Sequence, residues 1–100
     1  MSDKKHSVML NEYEYNLLVE NYMISMACEK QLKSKMKQGD EIELSLTLAQ
    51  LEDLTGYVAA ESNHSRSKRK AQDLGEICDY LESLIFEIKR DIRQHQSGAN

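Results

Sequence analysis

One run of apolar residues constrains this chain more than any other feature. Ala71, Leu74, Ile77, Cys78, Leu81, Leu84, Ile85, Ile88 and Ile92 recur at spacings of three and four, with Leu74, Leu81 and Ile88 seven apart. That spacing places them along one stripe of a long α-helix. A stripe of this length has to be covered, and the chain has only 100 residues with which to cover it. Folding at that size buries roughly 65% of the unfolded surface, enough for one small core and too little for a core plus a deep enclosed substrate cavity. The expectation is a mainly α, single-domain protein that is not a large enzyme, with residues 1–6 and 94–100 as tails.

Three helices are predicted. Pro is absent, so the strongest helix breaker is missing. The first helix starts at Glu12: Asn11 is placed to cap Glu14, the Glu14 side chain to reach back, and Leu10 to staple onto Tyr15. Its apolar residues (Tyr15, Leu18, Tyr22, Met26, then Cys28, Leu32 and Met36) drift around the helix, and it is expected to run to about Lys37 and stop at the turn signal Gly39-Asp40. The second helix repeats the same start, with Thr47 as cap, Gln50 as its reciprocal partner and Leu46 stapled to Leu51. It should run from Leu48 to about Ser62. Residues 61–70 then carry no large apolar side chain, which predicts an antiparallel hairpin of helices 2 and 3, with Asn63 in a left-handed conformation and Ser65 or Ser67 capping helix 3.

Ahead of each capped start lies a short segment that reads as a strand. Residues 41–46 alternate apolar and polar, and residues 7–10 offer a partner. A two-stranded sheet is expected, and if its strands are parallel, helices 1 and 2 point the same way. Gly56 and Gly75 are equidistant from the loop centre. The expectation is that they face each other across the hairpin and let the two helix backbones approach.

The chemistry-bearing residues are sparse. Glu61-x-x-His64 has the spacing of one half of a di-metal carboxylate site, which gives a metal-binding alternative. Cys28 and Cys78 have no C-x-x-C spacing and read as reduced, half-buried thiols, and no phosphate loop is present, so no cofactor is implied. Charge is the second feature: 17 acidic against 13 basic residues give a net −4, yet the bases cluster. Lys30, Lys33, Lys35 and Lys37 close helix 1, and Arg66, Lys68, Arg69 and Lys70 fill the hairpin loop. With parallel strands these would gather at one pole, a nucleic-acid or anion surface using Lys33, Lys35, Lys37 and the loop bases.

Surplus apolar surface is the third feature. Tyr80, Ile85 and Phe86 fall outside a narrow stripe on helix 3, and Val19, Met23 and Ile24 do so on helix 1. Three helices cannot bury faces that wide, so self-association or another protein is the expected cover, with Tyr22, Met26, Tyr80, Ile85 and Phe86 as its contact residues. No apolar run is long enough to span a membrane and the first residues lead into no signal sequence, so a cytoplasmic, non-enzymatic interaction or regulatory module, homodimeric, is expected. Across residues 48–84, the run Tyr57-Val58-Ala59-Ala60-Glu61-Ser62-Asn63-His64 and the amphipathic stretch from Ile77 to Leu84 resemble small helical domains of uncharacterised bacterial proteins. That resemblance covers about a third of the chain and implies a bacterial or phage setting without any residue role.

Overall fold

A computed structural model describes residues 4–98. It is mainly helical with a small antiparallel sheet: β1 (Lys5–Asn11), α1 (Glu12–Glu20), α2 (Tyr22–Ala27), α3 (Glu29–Lys33), β2 (Met36–Gln38), β3 (Glu41–Thr47), α4 (Leu48–His64) and α5 (Lys68–Gly98). Both predicted capping boxes are present. Asn11 Oδ1 accepts from the Glu14 amide at 2.7 Å, while the Asn11 amide donates to Glu14 Oε1 at 2.9 Å. Thr47 and Gln50 exchange the same two bonds at 3.1 and 3.0 Å.

The sheet has three strands in the order β1-β3-β2, where two were expected. β1 pairs antiparallel with β3 from Lys5↔Thr47 to Asn11↔Glu41, and β2 pairs antiparallel with β3 from Met36↔Glu43 to Gln38↔Glu41. The parallel crossover is thereby overturned. α1 leaves the sheet where Asn11 faces Glu41, and α4 leaves it at the opposite end, where Thr47 faces Lys5. Gly39, at φ 62°, turns β2 into β3 through a two-residue loop with Asp40. Among the described residues no other has positive φ, the pattern of a type II′ hairpin turn.

The single helix expected from Glu12 to Lys37 is broken twice. At Asn21 the backbone is extended (φ −78°, ψ 119°) and the side chain recaps the chain, accepting from the Ile24 amide at 2.9 Å. Cys28 (φ −117°, ψ 34°) ends α2 and starts α3. Ser34 closes α3: its hydroxyl donates to the Gln31 carbonyl at 2.7 Å and accepts the Ser45 amide at 3.1 Å, where β2 no longer covers β3.

Helices α4 and α5 form the expected antiparallel hairpin. Ser62 Oγ donates to the Ala71 carbonyl at 2.8 Å near the turn, and Lys89 pairs with Glu52 at 2.8 Å near the far end. Ser67 is the cap that is used, accepting from the Lys70 amide at 3.3 Å. Asn63 lies inside α4, and Ser65 ends that helix in an extended conformation (φ −69°, ψ 135°) rather than a left-handed one. The facing glycines are also overturned. Leu51, Leu54, Thr55 and Val58 turn to the core, which leaves Gly56 exposed, with nothing within 4 Å of the point where a Cβ would sit, whereas a Cβ at Gly75 would meet Ser62 Oγ at 3.3 Å.

Both expected tails contribute regular structure: β1 takes in Lys5 and His6, and α5 continues to Gly98. The tail expectation at residues 1–3 and 99–100 lies outside the described residues. The long dimension of 50 Å matches the about 46 Å that 31 helical residues span. One core joins Val8 and Leu10 of β1, Ile42, Leu44 and Leu46 of β3, and Ile24, Leu51, Leu54, Val58, Leu74, Ile77 and Leu81 of the helices. Among the described residues no helix is long and apolar enough to cross a membrane.

Candidate interaction surface

The six residues of α2 divide by spacing. Ile24 is fully buried and Cys28, four residues on, continues its side, so Tyr22, Met23 and Met26, at i, i+1 and i+4, take the outer side. Tyr22 is 73% exposed and Met26 63%, with Met23 and Val19 exposed beside them. Ile24, expected as surplus apolar surface, is instead core.

On α5 the expected contact residues separate. Phe86 is 63% exposed. Tyr80 and Ile85 are half-buried and pack on the core, and the Tyr80 hydroxyl accepts the Met9 amide at 3.0 Å. Because β1 is an edge strand with β3 on one side only, that hydroxyl satisfies a donor on its unpaired side. The two residues therefore form part of the seam between α5 and the rest of the molecule, and the outward apolar surface of α5 is Phe86 and Ile92.

The basic residues do not share one pole in the way parallel strands would have arranged. Lys33 pairs with Glu29 at 3.0 Å and Lys37 with Glu12 at 3.3 Å, while Lys35 Nζ lies 5.2 Å over the Tyr15 ring. Lys35 and Lys37 line an open groove of about 340 Å³ with Glu12, Tyr15, Asn16 and Ile42. The loop bases lie on another side of α1. Lys70 lines a cavity of about 60 Å³ with Leu17, Glu20, Asn21, Ser65 and Leu74. Near it Tyr13 donates to Asp73, and the Asp73 carboxylate raises the Tyr13 pKa above its ordinary value more than nearby Arg69 lowers it. Arg66, Lys68 and Lys70 form no ion pair among the described residues.

Glu61 is half-buried and accepts from Asn21 Nδ2 at 3.0 Å, and His64 is exposed. Among the described residues no three His, Cys, Asp or Glu side chains converge. Cys28 and Cys78 are free and buried, and burial raises the pKa of each thiol, with Asp53 adding to the shift at Cys28 and Glu82 and Asp79 at Cys78.

Sequence reasoning names Tyr22, Met26 and Phe86, all exposed, as expected contact residues, and counts Val19 and Met23, exposed as well, only as general surplus. The signal for Met23 is the capping Asn21, which restarts the helix and so resets which residues point outward. No family model matches this chain, and neither a curated protein nor a solved structure proves similar to it.

Proposed function

We propose that this protein is a non-enzymatic, cytoplasmic protein-interaction or regulatory module that self-associates through helical apolar surface. The observation that carries the reading is the outer side of α2, where Tyr22, Met23 and Met26 are all exposed within one six-residue helix. Scattered apolar residues on a surface are ordinary; an aromatic ring and two thioethers side by side are the composition of a protein contact, with Tyr as anchor and Met as adaptable filler. Taking a side chain of this size from full exposure to burial is favourable by about 1.5 to 3 kcal/mol, and covering the part of each that is still exposed here gains roughly half to three-quarters of that, before the cost of association. Light scattering over a concentration series tests it: the wild-type chain is expected at the mass of two copies, and Tyr22→Asp to move it toward one. A wild-type mass of one copy at every concentration would overturn self-association.

A second reading, binding of nucleic acid or another anion, has one specific observation behind it. Arg66, Lys68, Arg69 and Lys70 crowd the start of the 31-residue α5, where the helix dipole already favours negative charge. Binding of a labelled oligonucleotide that weakens steeply with salt would support it; unchanged oligonucleotide mobility at low salt would end it.

A further inference from the structure

We infer that the open groove between α1 and β2 is a binding site for a small organic carboxylate, independently of the self-association and nucleic-acid readings. Glu12, Tyr15 and Asn16, at i, i+3 and i+4 on one side of α1, line it together with Lys35 just before β2, Lys37 within β2, and Ile42, which faces Lys37 across the β2–β3 pair. Its volume of about 340 Å³ is at the lower end of the roughly 300 to 1,000 Å³ of small-molecule sites, which suits one ring or a short chain. The positive group is held before a ligand arrives. The buried Tyr15 donates its hydroxyl to the Leu32 carbonyl at 2.9 Å, which fixes the ring, and Lys35 Nζ lies 5.2 Å over that ring, inside the about 6 Å reach of a cation–π contact. Less side-chain freedom is then lost on binding. Charge selects the ligand. Lys37 is paired with Glu12 at 3.3 Å, whereas Lys35 is in no ion pair among the described residues. Two ammonium groups against one carboxylate leave a single net positive charge in the groove. A monoanionic carboxylate balances it, while a dianionic phosphate monoester overshoots and brings its second charge against Glu12. Ile42 and Tyr15 supply apolar contact for the body of the ligand, and the Asn16 amide offers a donor and an acceptor to a further polar group.

Amide NMR titrations of the full chain test the site, with benzoate as the probe, benzyl alcohol as its uncharged counterpart and phenyl phosphate as the dianion. Benzoate is expected to bind saturably in the millimolar range, the scale of an open site for so small a ligand, with its shifts centred on Asn16, Lys35, Lys37 and Ile42. Benzyl alcohol and phenyl phosphate should both bind more weakly. Lys35→Gln is expected to weaken benzoate about fivefold, the upper end for an exposed ion pair, and Lys35→Arg to retain it. Lys33→Gln, at a residue that pairs with Glu29 on α3, should leave it unchanged. Glu12→Gln removes the one carboxylate of the groove and should tighten phenyl phosphate more than benzoate. Unchanged amide positions away from the groove show that each variant is folded. Benzoate shifts that do not saturate or that lie elsewhere, or benzyl alcohol bound as well as benzoate, would overturn the site. So would a benzoate affinity that is the same in Lys35→Gln. Phenyl phosphate held more tightly than benzoate by the wild-type chain would overturn the carboxylate assignment.

Discussion

Two stretches of this chain are equally rich in helix-forming residues and fold differently. Residues 12–33 make three helices of 9, 6 and 5 residues, while residues 48–98 make two, of 17 and 31. The difference is one of phase. In α5 the buried Leu74, Ile77, Cys78 and Leu81 mix spacings of three and four, which keeps them on one side of a helix with about 3.6 residues per turn. In the first stretch the fully buried Leu18 and Ile24 are six residues apart, about 240° around a straight helix. A straight helix would turn one of the two away from the core. The break at Asn21 restarts the rotation and returns Ile24 to the core, while Tyr22, Met23 and Met26 are turned outward. The α4–α5 hairpin is the regular half of the molecule, and α1–α3 is the half whose breaks leave Tyr22, Met23 and Met26 exposed.

The comparison breaks most sharply at the core. Ile24→Ala and Leu81→Ala, one in each stretch and both fully buried, are each expected to cost about 2 to 5 kcal/mol in urea unfolding. A much smaller loss at Ile24 would mean that α2 is not integrated with the hairpin. Next comes the break itself. Asn21→Ala removes the cap on Ile24 and the bond to Glu61, with an expected loss of about 1 to 2 kcal/mol; a neutral result would show that the helix re-forms straight at no cost.

On the hairpin side the glycines give a smaller effect of opposite sign. Gly56→Ala has open space for its methyl group and should stabilise by about 1 kcal/mol, measured as a raised melting temperature. Gly75→Ala should gain less, because its Cβ would crowd Ser62 Oγ at 3.3 Å.

The weakest handle is alkaline pH. Cys28 and Cys78 have pKa values raised by burial, so the folded chain holds those protons more tightly than the unfolded one. Their contribution is intact below the ordinary thiol pKa of about 9 and is lost as pH rises from there through the folded values. Unfolding free energy measured against pH should fall in that window, and less steeply in Cys28→Ala and Cys78→Ala; an unchanged slope in both variants would contradict the assignment.

What can be read in the sequence follows the same division. The two capping boxes, the stripe of α5, the hairpin and the pairing of residues 7–10 with 41–46 are legible because each is written in local side-chain chemistry or in a sustained period. The breaks at Asn21 and Cys28 are not, since propensity and spacing alone favour an unbroken helix and only the position of the core shows the phase error. β2 is hidden for another reason: Met36, Lys37 and Gln38 are all exposed, so no alternation marks them as a strand, and the Gly39-Asp40 signal reads as the end of a helix rather than as a hairpin. Strand direction is not legible either. Periodicity says nothing about which way a neighbour runs, and the shared basic pole falls with that assumption. For the expected contact residues, exposure separates Phe86 from Tyr80 and Ile85, whose positions on α5 differ by rotation about the helix and not by composition.

The hydroxyl of Tyr80 on the outer edge of β1 has a consequence for how the chain matures. Met9 and Tyr80 are 71 residues apart, and β1 and β3 are themselves joined only after the whole of α1–α3 has been made. During synthesis the first strand therefore waits for the last helix: until Tyr80 has been made, the amide of Met9 faces water or any passing strand. Nascent chains cut before Tyr80 should be open to proteases and to strand exchange at residues 5–11, and those extending past α5 should be closed to both, which pulsed proteolysis of stalled chains would measure.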